Sequence, residues 1–164
     1  MDIKITEAGI KDVAGIIEFE KKCFVCVTDR FSPKNITNQI KSATCRITII
    51  KDKKGNILAS ATGFLRHFKV PSGRIYKIGV SPALKQKGIG SLLLQEMESW
   101  FLRNKMQFSF AEVRTSNTPS RKMFIKSGYK EIGLLPCYYG NLDKGLDLED
   151  GIKYKKKLSN EAKS

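Results

Sequence analysis

Polar and apolar residues alternate over residues 2–6 (DIKIT), and that period of two predicts a strand. From Ile10 to Cys23 the period changes. Ile10, Val13, Ile16, Ile17 and the stretch Phe19–Phe24 recur at helical spacing. Ser32-Pro33 has the form of a helix start, an N-cap residue followed by proline at the first helical position. Ile36 and Ile40 stand four apart on the short helix behind it. Three strands are then expected. Arg46–Lys51 is rich in β-branched residues. A polar turn over Asp52–Asn56 leads to Ile57–Phe68, a long run of small residues, and the Pro71-Ser72-Gly73 turn leads to Arg74–Val80. Connections this short join antiparallel neighbours, because a parallel crossover needs a dozen or more residues.

After Val80 the pattern changes. Gly88–Asn104 reads as a helix with Ile89, Leu92, Leu93, Met97, Trp100 and Phe101 on its apolar side, and Gln107–Arg114 as a strand. Strand, long helix, strand is a crossover unit, so the flanking strands are expected to pair in parallel. Asn117–Ser127 is a second helix, with Pro119 in its first turn and Gly128 just past its end. Tyr129–Cys137 and Gly151–Leu158 complete the set of strands. The fold class expected is α/β (mixed α+β), with a sheet that is antiparallel in its first half and parallel at its middle.

A chain of 164 residues, 41% hydrophobic, suits one compact domain with a real core. There are no internal repeats or low-complexity linkers, so the expectation is a single domain over residues 1–158 and a flexible basic tail over 159–164. No stretch approaches the roughly 18 consecutive apolar residues of a membrane helix. The N-terminus lacks the basic-then-apolar order of a signal peptide, and a cytoplasmic protein is expected. Cys23-x-x-Cys26 has metal-like spacing, but no second ligand pair stands near it. The four cysteines read as small, reduced, apolar residues, no metal is expected, and the one histidine, His67, reads as a lone side chain.

The net charge of +14 says that the surface attracts anions and not which ones. Part of it lies in Lys153, Lys155, Lys156 and Lys157, by default a solvated strand edge. Nucleic-acid binding would call for aromatic residues interleaved with the charge along the chain, or a known motif. Neither is present, so nucleic acid is not expected as the main partner.

The most informative stretch is Val80-Ser81-Pro82-Ala83-Leu84-Lys85-Gln86-Lys87-Gly88-Ile89-Gly90-Ser91. A strand ends, a basic turn follows, two glycines appear and a helix opens. The first N–H groups of a helix lack intrahelical partners and carry partial positive charge. Glycines let the backbone approach an anion, and Lys85 and Lys87 add charge, so the place suits a pyrophosphate. The dinucleotide fingerprint and the nucleotide P-loop are both absent.

This unit resembles the coenzyme A-binding motif of the GNAT superfamily of N-acetyltransferases, Gln/Arg-x-x-Gly-x-Gly/Ala after a strand ending in Val-x-Pro. Here it is Lys85-Gln86-Lys87-Gly88-Ile89-Gly90 after Val80-Ser81-Pro82, with lysine at the first position. The second half is most similar to the ribosomal-protein alanine N-acetyltransferases and their relatives. The similarity rests on Glu112-Val113-Arg114-x-Ser116-Asn117, on Phe124-x-x-x-Gly128-Tyr129, on Cys137-Tyr138-Tyr139 and on a closing strand at Asp150-Gly151-Ile152. The first 45 residues match less specifically. The resemblance implies a central mixed sheet of about seven strands with helices on both faces. It also implies acetyl-CoA as co-substrate and a primary amine as acceptor.

It further implies roles for particular residues. A bulge in the strand before the turn would bind the thioester and pantetheine arm through the backbone of Ile78, Gly79 and Val80. Lys85, Gln86, Lys87, Gly88, Ile89, Gly90 and Ser91 would hold the pyrophosphate. Gly79 suits a bulge sterically; a close contact with a neighbouring element is the other reading. Asn117 would bind the pantetheine arm, cap a helix, or do both. Glu112 matches the position of a general base and shares a strand face with Phe108 and Phe110, where apolar burial would raise its pKa; a salt bridge with a lysine or Arg114 is the other reading. Phe124 stands near the coenzyme where many relatives have a tyrosine that protonates the leaving thiolate. Tyr129, Tyr138 and Tyr139 are candidates to replace that hydroxyl. Tyr138 and Tyr139 match a substrate-loop pair, or pack at a strand end. The acceptor expected is a protein N-terminal α-amine. A lysine or small-amine acetyltransferase, and a non-catalytic coenzyme A-binding module, stand as alternatives.

Overall fold

The computed structural model describes residues 3–26, 29–141 and 146–160. In chain order the elements are β1 (Ile5–Glu7), α1 (Val13–Cys23), α2 (Pro33–Lys41), β2 (Cys45–Lys51), β3 (Ile57–Arg66), β4 (Ser72–Val80), α3 (Ile89–Arg103), β5 (Phe108–Arg114), α4 (Thr118–Lys126), β6 (Lys130–Asn141) and β7 (Leu146–Lys157). The helix start at Ser32-Pro33 is present: Ser32 Oγ accepts from the Asn35 N–H at 3.1 Å, and Pro33 opens α2. α4 begins the same way, with Asn117 Oδ1 accepting from the Ser120 N–H at 3.3 Å. It ends before Gly128, whose φ is +89°.

The strands form one seven-stranded sheet in the order β1-β2-β3-β4-β5-β7-β6. Among the described residues every neighbouring pair is antiparallel except β4 with β5, which the α3 crossover makes parallel. Two apolar layers result. Ile16 and Phe19 of α1 and Ile36 of α2 pack on Ile47, Ile49 and Ile57 of one sheet face. Leu93, Leu94, Met97 and Phe101 of α3 and Phe124 of α4 pack on Ala59, Ala61, Ile75, Ala111, Val113 and Tyr154 of the other.

Several boundaries differ from those expected. Ser72 and Gly73 already belong to β4, because both pair with β3 and β5 and are not free to turn. The last two strands run beyond Cys137 and start before Gly151 and pair antiparallel, and residues 142–145 lie outside the described residues. On α3, Leu94 is fully buried whereas Leu92 is 41% exposed, so the apolar stripe is rotated from the predicted one. Asp2 of the predicted first strand, and residues 161–164 of the predicted tail, also lie outside the described residues.

The contact between β4 and α3 has almost no free space. A Cβ added at Gly73 would lie 2.3 Å from the Phe101 ring, whereas one at Gly133 would have no neighbour within 4 Å. Gly73→Ala is expected to cost roughly 1–3 kcal/mol through overpacking. Gly133→Ala should change stability by less than about 0.5 kcal/mol. Urea denaturation of the two variants checks this. Equal midpoints would contradict the packing described.

Candidate active site

Parallel pairing of β4 with β5 runs through Ser72–Phe108, Gly73–Ser109, Arg74–Phe110 and Ile75–Ala111, and stops there. On its other side β4 slips register against β3. Gly63 is opposite Ile75 and Thr62 is opposite Lys77, so Tyr76 is an extra residue. A bulge of this kind bends its strand. Beyond it β4 and β5 diverge, and a cleft of about 530 Å³ opens, lined by Tyr76, Lys77 and Ile78 on one side and Glu112, Val113 and Arg114 on the other. The bulge thus lies two residues before the expected position. Gly79 is in regular register with Ser60. Its missing side chain serves the close contact instead, since a Cβ there would be 2.9 Å from Phe24 and 3.1 Å from Phe19.

Two structures wall the cleft. One is the segment after α1, which contributes Phe24, Asp29, Arg30 and Phe31. The other is the β6–β7 hairpin, which contributes Tyr138, Tyr139 and Gly140. The tyrosines are placed by a second irregularity. Between Leu135–Gly151 and Tyr139–Glu149, β6 advances four residues while β7 retreats two. Cys137, at φ +52°, turns within this bulge, and its N–H donates to Asp150 Oδ1 at 2.7 Å. Gly151 leaves room for the pair, because a Cβ there would be 3.0 Å from Tyr139 and 3.2 Å from Tyr138.

Glu112 projects into this space with a side chain only 10% exposed. It does share a strand face with Phe108 and Phe110, but its immediate partner is a cation. Arg74 Nε donates to Glu112 Oε2 at 3.0 Å, and Arg74 Nη2 donates to the Tyr138 hydroxyl at 2.9 Å. The apolar setting expected for Glu112 is therefore replaced by an ion pair, and the partner is Arg74, not a lysine or Arg114. Arg114 has its own task. It donates to Asp29 at 2.8 and 3.0 Å and to Glu149 at 3.1 Å, and stacks 4.4 Å from the centre of the Tyr139 ring. One guanidinium thus ties both walls to β5. Burial opposes ionisation of Glu149, but the Ser116 N–H and Arg114 outweigh it and hold the carboxyl below its ordinary range.

A second ion pair fixes the segment after α1. Lys77 Nζ donates to Glu20 Oε1 at 2.8 Å and sits 3.7 Å from the centre of the Phe31 ring. Glu20 Oε2 accepts from the Phe31 N–H at 2.7 Å. Burial pushes the Lys77 ammonium below the usual lysine range, although Glu20 opposes this.

The structure brings together Ile78, Glu112, Asn117, Phe124, Tyr138 and Tyr139, all of which line the cleft. Asn117 uses Oδ1 for its cap, which leaves its amide nitrogen as a donor. Phe124 is edge-on to Tyr129 at 5.0 Å and stacked on Tyr154 at 5.6 Å. The Tyr129 hydroxyl is occupied, donating to Ser109 Oγ at 2.7 Å, and burial beside Glu98 pushes its ionisation far above the ordinary tyrosine range. Burial, with Tyr138 and Glu112 nearby, also pushes Tyr139 up. Val80 packs with the α3 and α4 layer. His67 is exposed and outside the cleft lining. Among the described residues no group of three or more His, Cys, Asp or Glu side chains could hold a metal ion. No helix there is long and apolar enough to cross a membrane.

Lys85, Gln86, Lys87 and Gly88 form an exposed turn beyond the end of β4. Gln86 at φ +62° and Gly88 at φ +74° are both left-handed. The first helical hydrogen bond of α3 is donated by Leu92 to Gly88, so the N–H groups of Ile89, Gly90 and Ser91 have no intrahelical acceptor. The Ile89 side chain is buried in the core, and Met123 of α4 packs against Gly90. A Cβ at Gly88 would meet nothing within 4 Å, so the space beside this turn is open. Positive partial charge, two lysines and open space fit a pyrophosphate.

Arg74, Asp29, Glu149 and Tyr76 were missed by sequence reasoning. Their roles depend on register between distant strands; only the parity of Arg74 within its strand hinted that it points away from the core face of Ile75.

The sequence pattern of the Acetyltransferase (GNAT) family matches residues 13–129. An uncharacterized N-acetyltransferase of Methanocaldococcus jannaschii is 32% identical over 90 residues, 54% of this chain and 54% of its own length. The N-alpha-acetyltransferase RimI of Mycobacterium tuberculosis is 32% identical over 89 residues, 53% of this chain and 54% of its own. The matched stretch thus spans about half the length of these curated relatives. Among solved structures, the ribosomal-protein-S18-alanine N-acetyltransferase from Escherichia coli superposes with a TM-score of 0.79 at 18% identity, covering 99% of this chain and 97% of that one.

The Gly88 turn generates a direct test. Gly88→Glu is expected to weaken acetyl-CoA binding by about tenfold or more, roughly 1.4 kcal/mol, while Gly88→Ala, equally strained at positive φ but uncharged, weakens it less. Calorimetric titration checks this, with circular dichroism to verify folding. Unchanged affinity in folded Gly88→Glu would place the phosphates elsewhere.

A parallel strand pair that splits at a bulge, a phosphate-suited helix start at one end of the split and a family pattern over residues 13–129 agree: the chain belongs to the GNAT acetyltransferase family.

Proposed function

We propose that the protein is an acetyl-CoA-dependent N-acetyltransferase whose acceptor is a protein N-terminal α-amine. The observation that carries this reading is the split between β4 and β5, with Glu112, Tyr138 and Tyr139 gathered beside it. The curated relative from Mycobacterium tuberculosis bears the name of an N-alpha-acetyltransferase, which supports the choice of acceptor.

In this reading the turn over residues 85–91 takes the pyrophosphate. The edge of β4 left without a strand partner, Ile78 to Val80, takes the pantetheine arm, and the Asn117 amide nitrogen supplies a donor to it. The acceptor enters between the Asp29–Phe31 segment and the tyrosine pair. Its amine gives up a proton to Glu112, directly or through water. The amine nitrogen then bonds to the acetyl carbonyl carbon, a backbone N–H of β4 beyond the bulge stabilises the developing oxyanion, and the carbon–sulfur bond breaks. An α-amine, with a pKa of about 7.7–8.0, is far closer to neutral at physiological pH than a lysine at about 10.4, so it needs less help from the base. Phe124 offers no proton to the sulfur, and the buried Tyr129 hydroxyl is held by Ser109. Coenzyme A leaves as a thiolate, which a thiol pKa of about 8.5 permits.

Glu112→Gln keeps the shape and removes the proton acceptor. It is expected to lower turnover by about 10²-fold or more with acetyl-CoA affinity unchanged. The substrates are peptides with free α-amines, run beside α-blocked peptides that offer only lysine, and added acetyl mass is read. Acetylation should fall on the free α-amine. Acetylation of the lysines alone, or full turnover by Glu112→Gln, would contradict the reading.

A further inference from the structure

The sheet face that carries Glu112 is only half covered. α1 and α2 pack over β2 and β3. Next to Glu112 the outward side chains of β5 are Phe110 and Phe108, and β7 places Lys153 opposite Glu112 and Lys155 opposite Phe110. Together with the end of β3 and the turn before β4 they line a groove of about 420 Å³. Its cations are Arg66, Lys69, Lys153 and Lys155, and it has no carboxylate among its lining residues. None of the four makes an ion pair among the described residues. The interleaving of aromatic and basic residues that the linear sequence lacks is thus created by register between β5 and β7.

We propose that this groove binds an acidic segment of the acceptor, located about three to five residues from the amine that is acetylated. The inference rests on the reading that an amine is acetylated beside Glu112. Three observations carry it. The groove adjoins the active site, since Lys153 of its lining pairs with Glu112 in the register of β5 with β7, and Phe110 stands two residues before Glu112 on β5. The spacing suits a bound chain: from Glu112 to Phe108 is four residues of strand, about 13 Å, which an extended acceptor covers in about four residues. The charge is one-sided and ordered. Lys155 Nζ lies 4.2 Å from the centre of the Phe108 ring, and Lys153 Nζ lies 5.2 Å from that of Phe110. The rings hold the ammonium groups in place without neutralising them. The same contacts cover the ring faces on which nucleic-acid bases would stack, so the groove favours carboxylates.

The test uses the full chain with acetyl-CoA and peptides that share their first three residues and differ at positions four to six. Acidic peptides should show kcat/KM about tenfold or more above neutral ones. The difference should lie in KM and shrink as salt rises from low to physiological strength and beyond. The Lys153→Gln/Lys155→Gln double variant should lose most of that preference, with acetyl-CoA affinity intact; Arg66→Gln offers an independent second variant. Equal kcat/KM for acidic and neutral peptides in the parent would overturn the proposal. So would a preference that survives in both variants. A single-stranded RNA oligonucleotide that inhibits the parent, with no preference among peptides, would reassign the groove to nucleic acid. If no α-amine peptide gains acetyl mass, the acceptor reading itself falls and this inference with it; acetylation without preference removes this inference alone.

Discussion

β4 and β5 pair in parallel for four residues and then separate, because Tyr76 is one residue too many for the register with β3. The rest of the site depends on that separation. A continuous sheet would bury the backbone of Ile78 to Val80 in a ladder and press Glu112 against a neighbouring strand. The split instead leaves a backbone edge for a ligand on one side and a shielded carboxylate on the other. Packing behind it is tight enough to hold this geometry: Gly63 and Gly73 let Met97 and Phe101 of α3 come down onto the strands just before they diverge.

Charge then organises what the split opens. Arg74 orients Glu112 and reaches Tyr138, so the carboxylate and the hairpin tyrosine are positioned by one guanidinium. Arg114 does the same on a larger scale, joining the segment after α1 through Asp29 and the hairpin through Glu149. Glu20 and Lys77 anchor the segment again at Phe31. These pairs are partly buried, and removing one partner leaves the other with an uncompensated charge, so the walls and the sheet are coupled.

Much of the scaffold was legible in the sequence, and the reason is locality. The helix starts at Ser32-Pro33 and Asn117, the crossover over residues 80–108 and the basic turn into α3 are each determined by neighbours in the chain. The two bulges were not legible in position, because a bulge is a mismatch between strands and Tyr76 looks like any strand residue. Gly79 drew attention as a bulge glycine, while the structure assigns it to contact with Phe19 and Phe24. Glu112 was found through resemblance and Arg74 was not, since their meeting depends on a parallel register 38 residues apart. The groove of phenylalanines and lysines escaped notice for the same reason: Phe108 and Lys155 are distant in sequence and adjacent in the sheet.

We propose that the open edge of β4 and the start of α3 form one binding surface for acetyl-CoA. Backbone amide hydrogen exchange, followed residue by residue with and without saturating coenzyme A, tests it most directly. Exchange is expected to slow over residues 76–80 and 86–91 and to change little over β1 and β2, which lie at the far edge of the sheet. Unchanged exchange over residues 76–91, with protection arising elsewhere, would contradict it.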